Sequence, residues 1–171
     1  MDFVAFVLLY TTVLILFMKE SFFSLIYLTT WTCWLEVIYF ALRLLRCPKI
    51  ITNMLFQIIF VPSLVVCFGF WLFVFPGYKD VGSIVISCIL HGLNTFVLLW
   101  KRPKLLLKCV WMPTLYSLIY VVFMIIYSYR GGLTIHNNPI YWFCNTNKQF
   151  YWGFLIVFAT FITHYVLVNG S

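Results

Sequence analysis

Charge is what this chain has least of. Only 9% of its 171 residues are charged, and four of them are acidic. A soluble domain carries roughly 25%, so a water-facing globular fold is excluded. Paired cysteines are missing too: Cys33, Cys47, Cys67, Cys88, Cys109 and Cys144 are scattered with no CxxC spacing, which indicates neither a disulfide framework nor a zinc site. There is no Gly-rich phosphate loop, no Gly-x-Ser-x-Gly turn and no nicotinamide fingerprint. The commonest nucleotide-dependent, serine-hydrolase and dehydrogenase classes therefore drop out, and nothing in the chain calls for a cofactor.

What is present is apolar length. Hydrophobic residues make up 64% of the chain, and about 20 in a row suffice to cross ~30 Å of hydrocarbon. Six such runs, 2–18, 21–42, 50–75, 81–100, 105–127 and 150–168, leave almost no room for a soluble domain. The first carries Asp2 where a signal peptide would be basic, and no small-residue cleavage pattern surrounds Lys19 and Glu20, so it reads as a retained helix. A β-barrel would alternate apolar and polar residues over ~10-residue segments, whereas both faces of these runs are apolar. The expectation is an all-α polytopic bundle of six spans forming one domain over 1–171. Trp31, Trp34, Trp71, Trp100, Trp111, Trp142 and Trp152 read as interfacial anchors or packing groups.

The loops after spans 2 and 4 hold Arg43, Arg46, Lys49, Lys101, Arg102, Lys104 and Lys108, seven of the eleven basic residues. Lys19, Lys79, Arg130 and Lys148 fall on the other side. The positive-inside rule then puts both termini in the cytoplasm, or in the matrix of a mitochondrion. The net charge of +7 is a juxtamembrane stripe attractive to anionic headgroups, and nucleic acid is not needed to explain it. Cys47 and Cys109 flank these basic loops, a setting that permits palmitoylation, although an apolar thiol is the commoner role. Pro62 and Pro113 fall within spans 3 and 5, where each is expected to remove a backbone donor and kink its helix. Residues 130–149, with Gly131-Gly132 and Tyr141-Trp142-Phe143, read as a lid on the non-cytoplasmic side. The Asn169-Gly170-Ser171 sequon lies on the cytoplasmic side, away from glycosylation.

Ionisable groups inside a bilayer need partners. Glu36, Asn94 and His164 fall near ~20 Å from the outer ends of spans 2, 4 and 6, while Thr29 and His91 lie shallower at ~12–15 Å. Thr29 and Glu36, seven apart, share one helical face, and His91, Asn94 and Thr95 share another. These faces are expected to meet in a polar core, with Glu36 protonated, paired with His91 or His164, or open to a wet cavity. A protonated carboxyl bonded between helices and a proton or ligand site are equal alternatives for Glu36. For each histidine alone, a satisfied core residue is the commoner role. The Glu-x-x-His spacing of bundle metal sites is absent, so no metal is expected.

Several of these residues carry a likeness. Tyr27-Leu28-Thr29-Thr30-Trp31 opens span 2, His91-Gly92-Leu93-Asn94-Thr95 lies in span 4, an aromatic-rich helix runs from Tyr116 to Gly132, and Pro139-Ile140-Tyr141-Trp142 follows. The chain resembles the androgen-induced, Rolling stone-like membrane proteins over most of its length. Androgen-induced members are threonine hydrolases that cleave fatty acid esters of hydroxy fatty acids within the bilayer. By that resemblance Thr29 is the nucleophile. The family's His-x-x-His, however, reads His91-Gly92-Leu93-Asn94, so Asn94 stands where the catalytic base should be, and an amide does not accept a proton at neutral pH. His91, one turn away, would have to replace it. His-x-x-Asn looks like the Rolling stone branch, and Glu36 stands where hydrolase relatives have a neutral amide.

Two readings follow. The first is a non-catalytic lipid-binding scaffold or accessory subunit of a larger membrane complex, with membrane lipids and other membrane subunits as partners. The alternative is a threonine hydrolase with Thr29 and His91 catalytic. A proton-coupled carrier using Glu36 and His164 is weaker, because no repeat relates the two halves. The resemblance implies an endoplasmic reticulum or secretory membrane, whereas an accessory subunit also suits the mitochondrial inner membrane.

Overall fold

A computed structural model of the chain describes residues 2–20, 25, 27–74, 88–101, 104–132 and 149–169. Among these residues every regular element is helical: α1 (Asp2–Glu20), α2 (Leu28–Leu44), α3 (Lys49–Gly69), α4 (Asn94–Lys101), α5 (Trp111–Tyr129) and α6 (Gln149–Asn169). α3 runs on into a π-wound turn, Phe70–Val74. A second π-wound turn, Ile89–Leu93, leads into α4, and a 3-10 turn, Leu107–Cys109, leads into α5.

Three helices are long and apolar enough to cross a membrane, Lys49–Leu72, Leu107–Tyr129 and Tyr151–Asn169, and Asp2–Met18 is a shorter apolar helix. Residues 75–87 and 133–148 lie outside the described residues. With them go much of the 81–100 run, Lys79, Cys144 and all but the edges of the expected lid.

The helix ends show why the elements stop where they do. α2 closes in a Schellman motif: the Cys47 amide donates to the Leu42 carbonyl at 2.9 Å and the Arg46 amide to Arg43 at 3.1 Å. Arg46 takes the left-handed conformation this requires, with φ 55°. α5 ends the same way through Gly132 to Tyr127 and Gly131 to Ser128, with Gly131 at φ 76°. Gly131-Gly132 is thus the stop of α5, and the lid expected from residue 130 cannot begin before it. Pro113 also departs from expectation. It sits in the first turn of α5, where amides have no helical acceptor to lose, so it does not kink the helix interior. Pro62 does lie inside α3.

α3 is the central helix. Half of its most apolar stretch is buried within the protein, against 17% for the stretch in α6. One core joins Ala5 and Leu9 of α1, Val37 and Phe40 of α2, Phe56, Ile59 and Val61 of α3, and Leu98 of α4. A second joins Leu28 of α2 to Tyr120, Val121 and Met124 of α5. α5 and α6 approach closely at Gly153, where an added Cβ would lie 2.4 Å from a Val121 methyl. Large side chains such as Leu72, Phe96, Ile119, Phe154 and Phe158 point outward.

Two sets of contacts set the helix directions. Arg43 Nε donates to Asp2 Oδ2 at 3.0 Å, tying the start of α1 to the end of α2. Gln57 of α3 and His164 of α6 both reach the 104–106 connection. The α2–α3 loop and the α4–α5 connection therefore lie towards the same end of the bundle.

Candidate functional site

The polar residues of the helices fall into several groups. The first turn of α2 follows an extended Tyr27, φ −94° and ψ 136°, and holds Thr29 and Thr30. Thr29 is half-buried. Thr30 is 1% exposed, and its hydroxyl has no hydrogen-bond partner among the described residues. Thr32, one turn on, donates to the Leu28 carbonyl at 2.9 Å and lies 3.3 Å from the Tyr116 hydroxyl of α5. Trp31 packs inward, edge-on to Tyr120 at 5.5 Å and tilted on Phe123 at 5.2 Å. Its indole donates to the Leu25 carbonyl at 2.6 Å.

The second group lies where the two π-wound turns meet. The His91 imidazole stacks on Phe70 with ring centroids 3.8 Å apart and planes within 4°. Its Nδ1 is buried with no hydrogen-bond partner among the described residues. π-wound turns frequently mark functional sites, because they rotate one residue out of helical register. Thr95 is bonded to α3. Its hydroxyl donates to the Ser63 carbonyl at 3.2 Å and lies 2.9 Å from the Ser63 hydroxyl, both on α3. Asn94 opens α4, but its side chain lies outside the description.

Glu36 and His164 are both fully buried, at 0% exposed. Glu36 lies on the inner side of α2, one turn before Phe40. The His164 Nε2–H donates to the Leu106 carbonyl at 3.0 Å. A carbonyl oxygen only accepts, so that bond places a proton on Nε2.

Beside His164 sits a residue that the sequence reading missed. Gln57, 3% exposed, donates through Nε2 to the Lys104 carbonyl at 2.9 Å and accepts from the Leu106 amide at 3.1 Å. An amide set between Phe56 and Ile58 in an otherwise apolar run was the available signal.

The remaining groups hold helices together. Ser117 of α5 and Thr160 of α6 bond at 3.0 Å. At the α1–α2 end, Arg43 reaches Asp2 and donates to the Tyr39 hydroxyl at 3.1 Å. Burial works against the Arg43 charge, but Tyr39 and Asp2 more than offset it and hold the guanidinium above its ordinary pKa.

Thr29 and His91 are the two residues that the resemblance would make nucleophile and base. A general base works within about 3 Å of the proton it takes, and among the described residues no hydrogen bond joins them. No three His, Cys, Asp or Glu side chains among the described residues gather as a metal site. None of the five described cysteines is in a disulfide among the described residues.

Fold and contacts together define a protein that is all-helical among the described residues, with three helices of membrane-crossing length. Comparison with known proteins adds no neighbour: no family model, no curated protein and no solved structure matches this chain.

Proposed function

We propose that this chain is a six-span integral membrane protein that acts without catalysis, as a lipid-binding scaffold or an accessory subunit of a larger membrane assembly. In this reading both termini lie on the cytoplasmic or matrix side, with the Arg43–Lys49 and Lys101–Lys108 loops. The observation that supports it best is where the buried polar groups end. Ser63 meets Thr95, Ser117 meets Thr160, Thr32 meets Tyr116, and Gln57 and His164 meet the backbone of 104–106. These contacts are all between helices or between a helix and a connection, the use that membrane bundles make of small hydroxyls and amides. The outward apolar side chains are left for lipid or partner helices.

The likeness to the androgen-induced, Rolling stone-like proteins belongs to the same proposal and leaves a second reading, the threonine hydrolase. One observation favours it: His91 keeps a buried ring nitrogen with no partner among the described residues. Thr29 would attack an acyl carbonyl, His91 would take its proton, and Asn94 or Thr95 would donate to the oxyanion.

One preparation tests both. Purified protein in mild detergent is examined by native mass spectrometry and then offered a panel of branched fatty acid esters. The scaffold reading expects bound phospholipid or co-purifying membrane proteins, and no turnover. Ester cleavage that disappears in both Thr29→Ala and His91→Ala would replace it with the hydrolase.

A further inference from the structure

α5 presents a stripe that the functions proposed so far do not use. Ile119, Val122, Phe123, Ile126, Tyr127 and Arg130 recur at helical spacing and, with Gly132, line an open groove of about 600 Å³. From Ile119 to Arg130 the groove runs ~16 Å at 1.5 Å per residue, about the ~15 Å of hydrocarbon in a single leaflet. Its walls are apolar except at the end. There Arg130, exposed, directly follows the last residue of the membrane-length helix Leu107–Tyr129. Its guanidinium forms no ion pair among the described residues.

One wall is built in advance. Phe123 and Tyr127 stack at 5.8 Å and 27°, and Trp31 braces Phe123 from α2. Gly132 admits the Tyr127 ring, because a Cβ there would lie 2.4 Å from its edge. A rigid wall lowers the ordering cost of whatever binds.

The side chains also discriminate between occupants. Membrane helices associate closely through Gly, Ala, Ser and Thr, but the helical part of this stripe carries only branched and aromatic side chains, and its one small residue, Gly132, lies beyond the helix end. A single acyl chain can follow such a ridge where a helix backbone cannot come near. At the groove's end a planar guanidinium matches a phosphate bidentately.

We propose that this groove binds an anionic phospholipid, one acyl chain lying along Ile119 to Ile126 and the headgroup phosphate on Arg130, in the leaflet opposite the basic loops. The proposal deepens the lipid-binding reading and rests on it.

The test uses the full chain in phosphatidylcholine nanodiscs doped with phosphatidylglycerol carrying a photoactivatable acyl chain, with the matched phosphatidylcholine probe as control. Wild type should show labelling at residues 119–126 about five-fold stronger from the anionic probe, the ratio that ~1 kcal/mol per basic residue at the surface corresponds to. Arg130→Gln should abolish that preference while leaving labelling by the neutral probe. Val122→Trp, which fills the groove from an exposed position, should suppress labelling by both. Equal labelling by the two probes, unchanged in Arg130→Gln, would reduce the groove to general lipid contact. Cross-links from α5 to a second copy or to another protein would make it a protein interface, and either result overturns the site. If lipid persists by native mass spectrometry in both variants while the anionic preference was absent in wild type, only this site is lost. A chain that retains no lipid at all removes the scaffold reading beneath it.

Discussion

At the residue scale the largest single stake is Gln57, whose one amide satisfies both a carbonyl and an N–H of the connection between α4 and α5. Replacing it with Leu strands the Leu106 amide and the Lys104 carbonyl, and an unsatisfied buried group costs about 1–3 kcal/mol. Gln57→Leu is therefore expected to lower the thermal midpoint in detergent clearly. Ser117→Ala, which removes one hydroxyl contact to Thr160, should cost closer to ~0.6 kcal/mol, the average for such bonds in membrane bundles. Equal midpoints for the two variants would refute this double role of Gln57. The sequence flagged His164 as buried and polar but not Gln57, because an amide carries no charge to announce itself in an apolar run.

At the element scale, two ends and one crossing carry opposite expectations. Gly131 holds a left-handed conformation, so Gly131→Ala should destabilise α5 by about 1 kcal/mol. Arg46 pays that conformational cost already, and Arg46→Gly should gain a comparable amount. Chemical unfolding followed by circular dichroism reads both signs, and matching signs would show that the Schellman ends do not control the two helices. Where α5 crosses α6, Gly153→Ala drives a methyl into Val121, and overpacking of this kind costs about 1–3 kcal/mol. Adding Val121→Ala should restore most of the loss. Failure of that rescue would mean that the close approach belongs to backbone and not to the Val121 side chain.

At the scale of the whole molecule, the proposed topology separates the ends of α3 and α5. In a background without native cysteines, Lys49→Cys and Lys104→Cys should react with a membrane-impermeant thiol reagent from one side of sealed vesicles. Tyr129→Cys, at a position 92% exposed, should react only from the other. Reaction of all three from the same side would end the six-span arrangement. The contacts of Asp2 with Arg43 and of His164 with Leu106 gather the start of α1, the end of α2 and the α4–α5 connection towards a common end, which gives the experiment its expected pairing.

The sequence alone determined the helical class, since uncharged apolar runs of this length must satisfy their backbone internally and have no alternating pattern for a barrel. It also marked which positions within a run share a face, because 3.6 residues per turn is a local property. Only the tertiary structure decided what each face meets. Thr95 turns to Ser63, His91 lies flat on Phe70, and His164 reaches Leu106, three contacts that depth counting did not name. Periodicity sets the spacing of side chains along one helix, but rotation and tilt about its axis are set by packing against neighbours distant in the chain, and a local pattern holds no record of them.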